Sequence, residues 1–140
     1  MATTISALEL FEILVGMNGA FILQNPHGSM ELRGTDFYLR HTNDWITLYH
    51  RAAKSPESRS HFHLKWRTLQ WVRVDEAEGQ TPQLSFFMTP EPVDEPVLIW
   101  YFPSFYDWAH HKAEIPDNIA LFEGFVERYG KTLQLVEPTP

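Results

Sequence analysis

The side chains best suited to chemistry lie in one stretch, Arg59–Val74. Successive side chains of an extended strand point to opposite faces, so this stretch predicts one polar face and one apolar face. The polar face carries two imidazoles, two cations and no carboxylate: His61, His63, Lys65 and Arg67. The apolar face carries Phe62, Leu64 and Trp66. Imidazoles and cations without a carboxylate suit an anion or a metal ion.

The His-x-His pair supports a metal hypothesis. Residues two apart on a strand share a face, which puts the imidazoles of His61 and His63 within reach of one metal ion. A catalytic zinc takes three protein ligands, and non-haem iron takes two histidines and a carboxylate, but spacing assigns no further ligand here. A metal-binding protein or small metalloenzyme is therefore one hypothesis. The common nucleotide-binding and hydrolase motifs are absent from the sequence.

Length and composition narrow the class of protein. A chain of 140 residues fits one domain spanning 1–140. The net charge of -7 argues against a general nucleic-acid binder and against attraction to anionic membranes. The absence of cysteine excludes disulfides and thiolate sites. Because the sequence also shows no export signal and no long apolar run, a cytoplasmic protein is predicted. An aromatic content of 14% supplies a core with a surplus for a pocket or a subunit contact.

Hydrophobic periodicity predicts an α+β fold, an antiparallel β-sheet meander with flanking N- and C-terminal helices. The helices are Ser6–Gly16, with a capping box at Ser6, and Pro116–Tyr129. Phe105–Ala113 is compatible with a helix or a loop. Strands are predicted between the helices and after the second one: Ala20–Gln24, Ser29–Arg33, Asp36–His41, Trp45–Arg51, Leu69–Val74, Gln83–Met88, Pro96–Phe102 and Thr132–Val136. The first four have a period of two and are separated by short turns. Gln83–Met88 and Pro96–Phe102 are strongly apolar and lack clean alternation, which favours strands covered on both sides.

The order of these elements resembles the haem iron utilisation family, meaning the ChuX/HutX-type haem carriers and the related half-domains of HemS/HmuS proteins. The resemblance runs from about Gly19 to Gly130. It is carried by five segments: Met30–Gly34, Asp36–His41, His61–Val72, Gln83–Pro90 and Val97–Ser104.

The resemblance implies a cytoplasmic, often homodimeric protein that binds haem on a sheet surface and carries it, rather than a catalyst. Haem needs an axial ligand, an aromatic surface for the macrocycle, and cations for two carboxylates. The candidate ligands are His63 and His61, and the candidate cations are Arg40, Lys65 and Arg67.

The family ligand positions align with Gln24 and Leu48, which are not histidines. His50 lies two positions after Leu48 and would share its face in a regular strand, which makes it the best substitute ligand. A third hypothesis follows from the same two residues. It states that the family fold has been kept while the haem site has been lost, so that the aromatic surface serves a dimer or another protein partner.

Overall fold

The computed structural model describes residues 2–33, 37–50, 61–89 and 95–137, with the side chains of Arg33 and His50 outside the description. The predicted strand ends at Asp36 and Arg51, and the start of the His-x-His stretch at Arg59, also lie outside it. Two helices are described, α1 (Ala7–Val15) and α2 (Pro116–Tyr129). The described strands are β1 (Thr3–Ser6), β2 (Ala20–Asn25), β3 (Gly28–Arg33), β4 (Phe37–His41), β5 (Ile46–His50), β6 (His61–Leu64), β7 (Trp71–Asp75), β8 (Gln83–Phe87), β9 (Leu98–Tyr101), β10 (Tyr106–Asp107), β11 (Ala113–Glu114) and β12 (Thr132–Val136).

Helix α1 begins and ends where its sequence signals predict. The Ser6 hydroxyl accepts a hydrogen bond from the Glu9 backbone N–H at 3.1 Å, which satisfies one of the unpaired donors of the first turn. Gly16 follows the last turn, and its N–H reaches the carbonyls of the preceding turn. One face of the helix is buried, through Ala7, Leu10, Phe11 and Leu14.

Helix α2 also follows its predicted bounds. Pro116 opens it, where the missing N–H of proline costs nothing, and Gly130 ends it with a φ of 77°, a value that favours glycine. Phe122 and Phe125 are its buried residues. Among the described residues, neither helix is long and apolar enough to cross a membrane.

Within the described ranges the long strands form a seven-stranded sheet in the order β1-β12-β7-β8-β9-β2-β3. Its pairs are antiparallel except for β1 and β12, which run parallel. The prediction of an α+β fold with mostly antiparallel strands is confirmed. The prediction of a single meander is wrong, because β12 pairs with β7 and β2 with β9, which are distant in the chain, and because β4, β5 and β6 form a sheet of their own. The strand β1 was not predicted, because its four residues are too few to show a period.

A separate three-stranded sheet contains β4, β5 and β6 in that order. The chain leaves it through a 3₁₀ turn at Trp66–Thr68 and enters β7 in the larger sheet. The indole of Trp66 is 3% exposed, and its N–H donates to the Thr42 carbonyl at 3.2 Å. The 3₁₀ turn is therefore a change of sheet, fixed by the burial of Trp66.

The core joins α1 and the two sheets. Phe21 of the large sheet contacts Phe37 and Phe62 of the small sheet, with ring centroids 5.6 and 5.9 Å apart. Phe11 of α1 stacks on Phe86 at 5.5 Å. Because the apolar sides of both sheets meet here, the other side of the small sheet is left facing outward.

Candidate functional site

The outward side of the three-stranded sheet, called here the outer face, carries two rows of side chains. Strand pairing aligns Tyr38 with Tyr49 and Tyr49 with His61 in the first row. The second row aligns Arg40, Thr47 and His63. The alternate residues Ile46, Leu48, Phe62 and Leu64 are buried, so the period-two prediction of a polar and an apolar face is confirmed for β6.

The first row is an aromatic surface. The rings of Tyr38 and Tyr49 stack with centroids 4.8 Å apart and planes 11° apart. The His61 ring continues the row, 5.1 Å from Tyr49 and tilted by 34°. Stacked rings of this kind present an extended apolar surface whose π-electrons attract other flat systems.

His63 lies at the β6 end of the second row, on an edge strand of the small sheet, and is exposed. Its Nδ1 is 2.8 Å from the Thr47 hydroxyl, and its ring centroid is 5.2 Å from that of His61. When Nδ1–H donates a hydrogen bond to the Thr47 hydroxyl, Nε2 carries the lone pair and can bind a metal ion or accept a hydrogen bond. A hydrogen bond to the other ring nitrogen is the usual way proteins orient a ligating histidine.

Two cations border the outer face. Arg40 occupies the end of the second row and Lys65 follows β6, and both side chains are exposed. The Lys65 ammonium lies 5.3 Å from the ring centroid of Trp45, which itself stands edge-on to His63. The outer face therefore offers exposed positive charge beside its rings.

Arg67 is engaged elsewhere. Its Nε donates to the Asn43 carbonyl at 2.5 Å, its guanidinium pairs with Glu137, and it stacks over the Trp66 ring at 4.4 Å. These contacts tie the 3₁₀ turn to the segment after β12. Arg67 does not join the other candidates on the outer face.

The positions highlighted by the family alignment also lie apart from it. Gln24 donates from Nε2 to the Pro96 carbonyl at 2.7 Å, and Leu48 is fully buried. The side chain of His50 lies outside the described structure, so its role as a ligand stays a prediction.

The metal hypothesis gains no third ligand. In the part of the chain that the structure describes, no three histidine, aspartate or glutamate side chains gather as a metal site requires. His61 and His63 stand next to each other with their ring planes 79° apart.

Sequence reasoning did not select four residues of this site: Tyr38, Trp45, Thr47 and Tyr49. The sequence does show that Tyr38 shares a face of its strand with Arg40, and Thr47 with Tyr49, because side chains two residues apart point the same way. It does not show which strands are neighbours.

A second feature is a pocket of about 620 Å³ at the end of β2 and β9, beside the β10–β11 hairpin. None of the five predicted site residues whose side chains the structure describes lines it. Its lining includes Asn18, Gln80, Tyr101, Phe102, Tyr106 and Trp108.

No protein-family model matches the chain, and no curated protein matches it.

Proposed function

We propose that this protein binds haem or a similar flat anionic tetrapyrrole on the outer face of the three-stranded sheet, as a carrier within the cytoplasm. The observation that carries the proposal is His63, an exposed imidazole hydrogen-bonded through Nδ1 to Thr47, beside a row of stacked rings and on the same face as Arg40 and Lys65. Among the predicted residues whose side chains are described, no other arrangement combines these three chemical properties.

The outer face fits a flat macrocycle in shape. Adjacent strands lie about 4.8 Å apart, so three strands give a surface roughly 10 Å wide. The stacked rings of Tyr38 and Tyr49 form one part of it and are half-buried, which fixes their orientation. A macrocycle lying on them would cover apolar ring surface that water now contacts, and this burial favours binding.

The polar groups of the outer face fit the rest of the ligand. Haem brings an iron atom that accepts an imidazole nitrogen as its axial ligand. His63 offers Nε2 when the Thr47 hydroxyl accepts a hydrogen bond from Nδ1–H, and His61 is the second candidate, with its ring centroid 5.2 Å from that of His63. Arg40 and Lys65 supply charge-assisted hydrogen bonds for the two carboxylates of the ligand.

We also propose that the chain is a distant member of the haem iron utilisation family and shares its fold. The order of elements supports this, with a leading helix, strands connected by hairpins and a closing helix before the last strand. The proposal places the axial ligand at His63 rather than at the aligned position Leu48, which is buried.

A haemin titration of the apo-protein, followed by absorbance, tests the proposal. We expect a saturable Soret shift with one haem per chain, strongly weakened in His63→Ala and weakened less in Lys65→Gln. His27→Ala is the matched control, because His27 is exposed in the β2–β3 turn. If His63→Ala binds haem as the unaltered protein does, His63 is not the ligand, and His61→Ala and His50→Ala identify the alternative. If the unaltered protein shows no saturable Soret shift, the proposal is refuted.

Metal binding through His61 and His63 is the second candidate, favoured by the adjacency of the two rings. Metal analysis of protein purified without a histidine tag separates it from haem binding. A stoichiometric divalent metal that is present in the unaltered protein and lost in His61→Ala supports the metal site. If the unaltered protein contains no such metal, the metal hypothesis is refuted.

The homodimer implied by the resemblance is also a proposal. The side of the seven-stranded sheet that carries Trp71, Ile99 and Tyr101 has half-buried aromatic and apolar side chains that a second copy would cover. Sedimentation velocity with and without haemin tests it. A single monomeric species at every concentration contradicts the dimer, and a dimer that forms without binding haem supports the hypothesis of a lost haem site.

A further inference from the structure

The pocket beside the β10–β11 hairpin has aromatic walls. The rings of Tyr106 and Trp108 stand 5.8 Å apart at 62°, and the Trp108 side chain is 64% exposed. Phe102 lies at the inner side, 2% exposed and packed edge-on against Phe122 of α2. A large exposed tryptophan beside a concave site offers a stacking surface for a flat ligand.

Short contacts hold the walls in place. Phe105 donates its backbone N–H to the Thr81 hydroxyl at 3.0 Å, and Ile115 donates its own to the Phe105 carbonyl at 2.7 Å. Asn118 of α2 donates from Nδ2 to the Ser104 carbonyl at 2.8 Å. These bonds attach the segment before the hairpin to its neighbours, so a ligand would meet walls that are already in place.

The charges near the pocket are already engaged. Asp107 is the only charged residue in the described lining, and its two carboxylate oxygens accept from the Ala109 N–H and contact His110 Nδ1 at 3.2 and 2.7 Å. The Lys112 ammonium lies over the rings of Tyr106 and Trp108, 4.9 and 5.2 Å from their centroids. A charged ligand would therefore find no unengaged partner of opposite charge in this lining.

Two carboxamides of the lining are unengaged. Within the described ranges, the side chains of Asn18 and Gln80 make no hydrogen bond to protein. A carboxamide has both donors and acceptors, the same complement that nucleobases present along their edges. Aromatic stacking combined with carboxamide hydrogen bonding is the chemistry by which proteins hold unpaired bases.

We propose that this pocket binds an uncharged planar heterocycle of the nucleobase type, as the free base or nucleoside. The ring stacks on Trp108, and its polar edge pairs with Gln80 and Asn18. The site is separate from the outer face and does not depend on the proposed haem binding. The negative charge of the chain, -7, adds a long-range repulsion that disfavours the corresponding nucleotide.

The test titrates the ¹⁵N-labelled full chain with adenosine, guanosine, cytidine and uridine, followed by amide, indole and carboxamide NMR signals. We expect saturable shifts of the Trp108 indole and the Gln80 carboxamide with at least one nucleoside. Trp108→Ala should weaken that binding about tenfold or more, and Gln80→Leu about threefold or more. Met30→Ala is the control, because Met30 is as exposed as Trp108 but lies on β3, and it should bind unchanged.

Ribose and AMP complete the test. Ribose should cause no saturable shift at the pocket, and AMP should bind no more tightly than adenosine. The proposal is overturned if no nucleoside saturates in the low millimolar range, if the shifts fall away from the pocket, if ribose alone reproduces them, or if AMP binds more tightly than adenosine.

Discussion

Removing the hydroxyl that anchors His63 is the sharpest test of the outer face. Thr47→Val keeps the size and β-branching of the side chain, so the strand is preserved, but it deletes the partner of His63 Nδ1 at 2.8 Å. A hydrogen bond of this kind contributes about 0.5–1.5 kcal/mol, and the loss of a partner behind a metal ligand costs about 10- to 100-fold in affinity. Because Thr47–His63 is a solvent-exposed pair, we expect the lower end, about a tenfold rise in the dissociation constant for haem.

The assay combines two measurements. Haem affinity is taken from the Soret titration, and ¹⁵N NMR of the imidazole of His63 in the apo-protein reports which ring nitrogen carries the proton. Thr47→Val should weaken affinity and increase the share of the Nε2-protonated form. Thr47→Ser keeps the hydroxyl and should behave like the unaltered protein. Thr132→Val is a control for the substitution itself, because Thr132 lies on β12 in the other sheet.

Two results would refute the reasoning. One is that Thr47→Val changes the tautomer of His63 but changes haem affinity by less than about twofold, which is a change in binding free energy below roughly 0.5 kcal/mol. His63 is then not the axial ligand. If neither the tautomer nor the affinity changes, the hydroxyl does not orient the ring. In both cases the His63→Ala titration decides whether haem binding at this face survives.

Three further predictions concern stability, each measured as the free energy of unfolding in urea. Ser6→Ala should cost about 1 kcal/mol by removing the cap of α1, and Ser6→Asp should retain stability. Gly19→Ala should cost about 3 kcal/mol, because its Cβ would lie 2.5 Å from the Trp100 ring, and a loss below about 1 kcal/mol would contradict the packing. Ser85→Ala should cost about 1–2 kcal/mol, because the fully buried hydroxyl donates to Asp75 at 2.5 Å, and an unchanged midpoint would contradict that bond.

The local signals in the sequence predicted the helices closely. The capping box at Ser6 and the paired Pro116 and Gly130 act within a few residues of themselves, so their effect does not depend on the rest of the chain. Most strands between the helices were predicted for the same reason, since alternation and short apolar runs require only neighbouring residues, but β1 was not predicted. Phe105–Ala113 was left open because it contains two-residue strands and a 3₁₀ turn, which are too short to show a period.

The candidate site was predicted in part. Alternation along the His-x-His stretch put His61, His63 and Lys65 on one exposed face, and strand pairing in the structure brings Arg40 to the same face. Arg67 could not be separated from Lys65 by spacing, because its pairing with Glu137 joins residues 70 positions apart.

The sequence by itself determined which side chains share a face of each strand and where each helix begins and ends, since both depend on geometry repeated every two or 3.6 residues. Only the tertiary structure decided which strands are neighbours. It placed Tyr38 and Tyr49 beside His61, Thr47 against His63, and β1 beside β12. The physical reason is that strand pairing and burial are contacts between distant segments, which compete for partners across the whole chain, whereas alternation and capping are settled within a few residues.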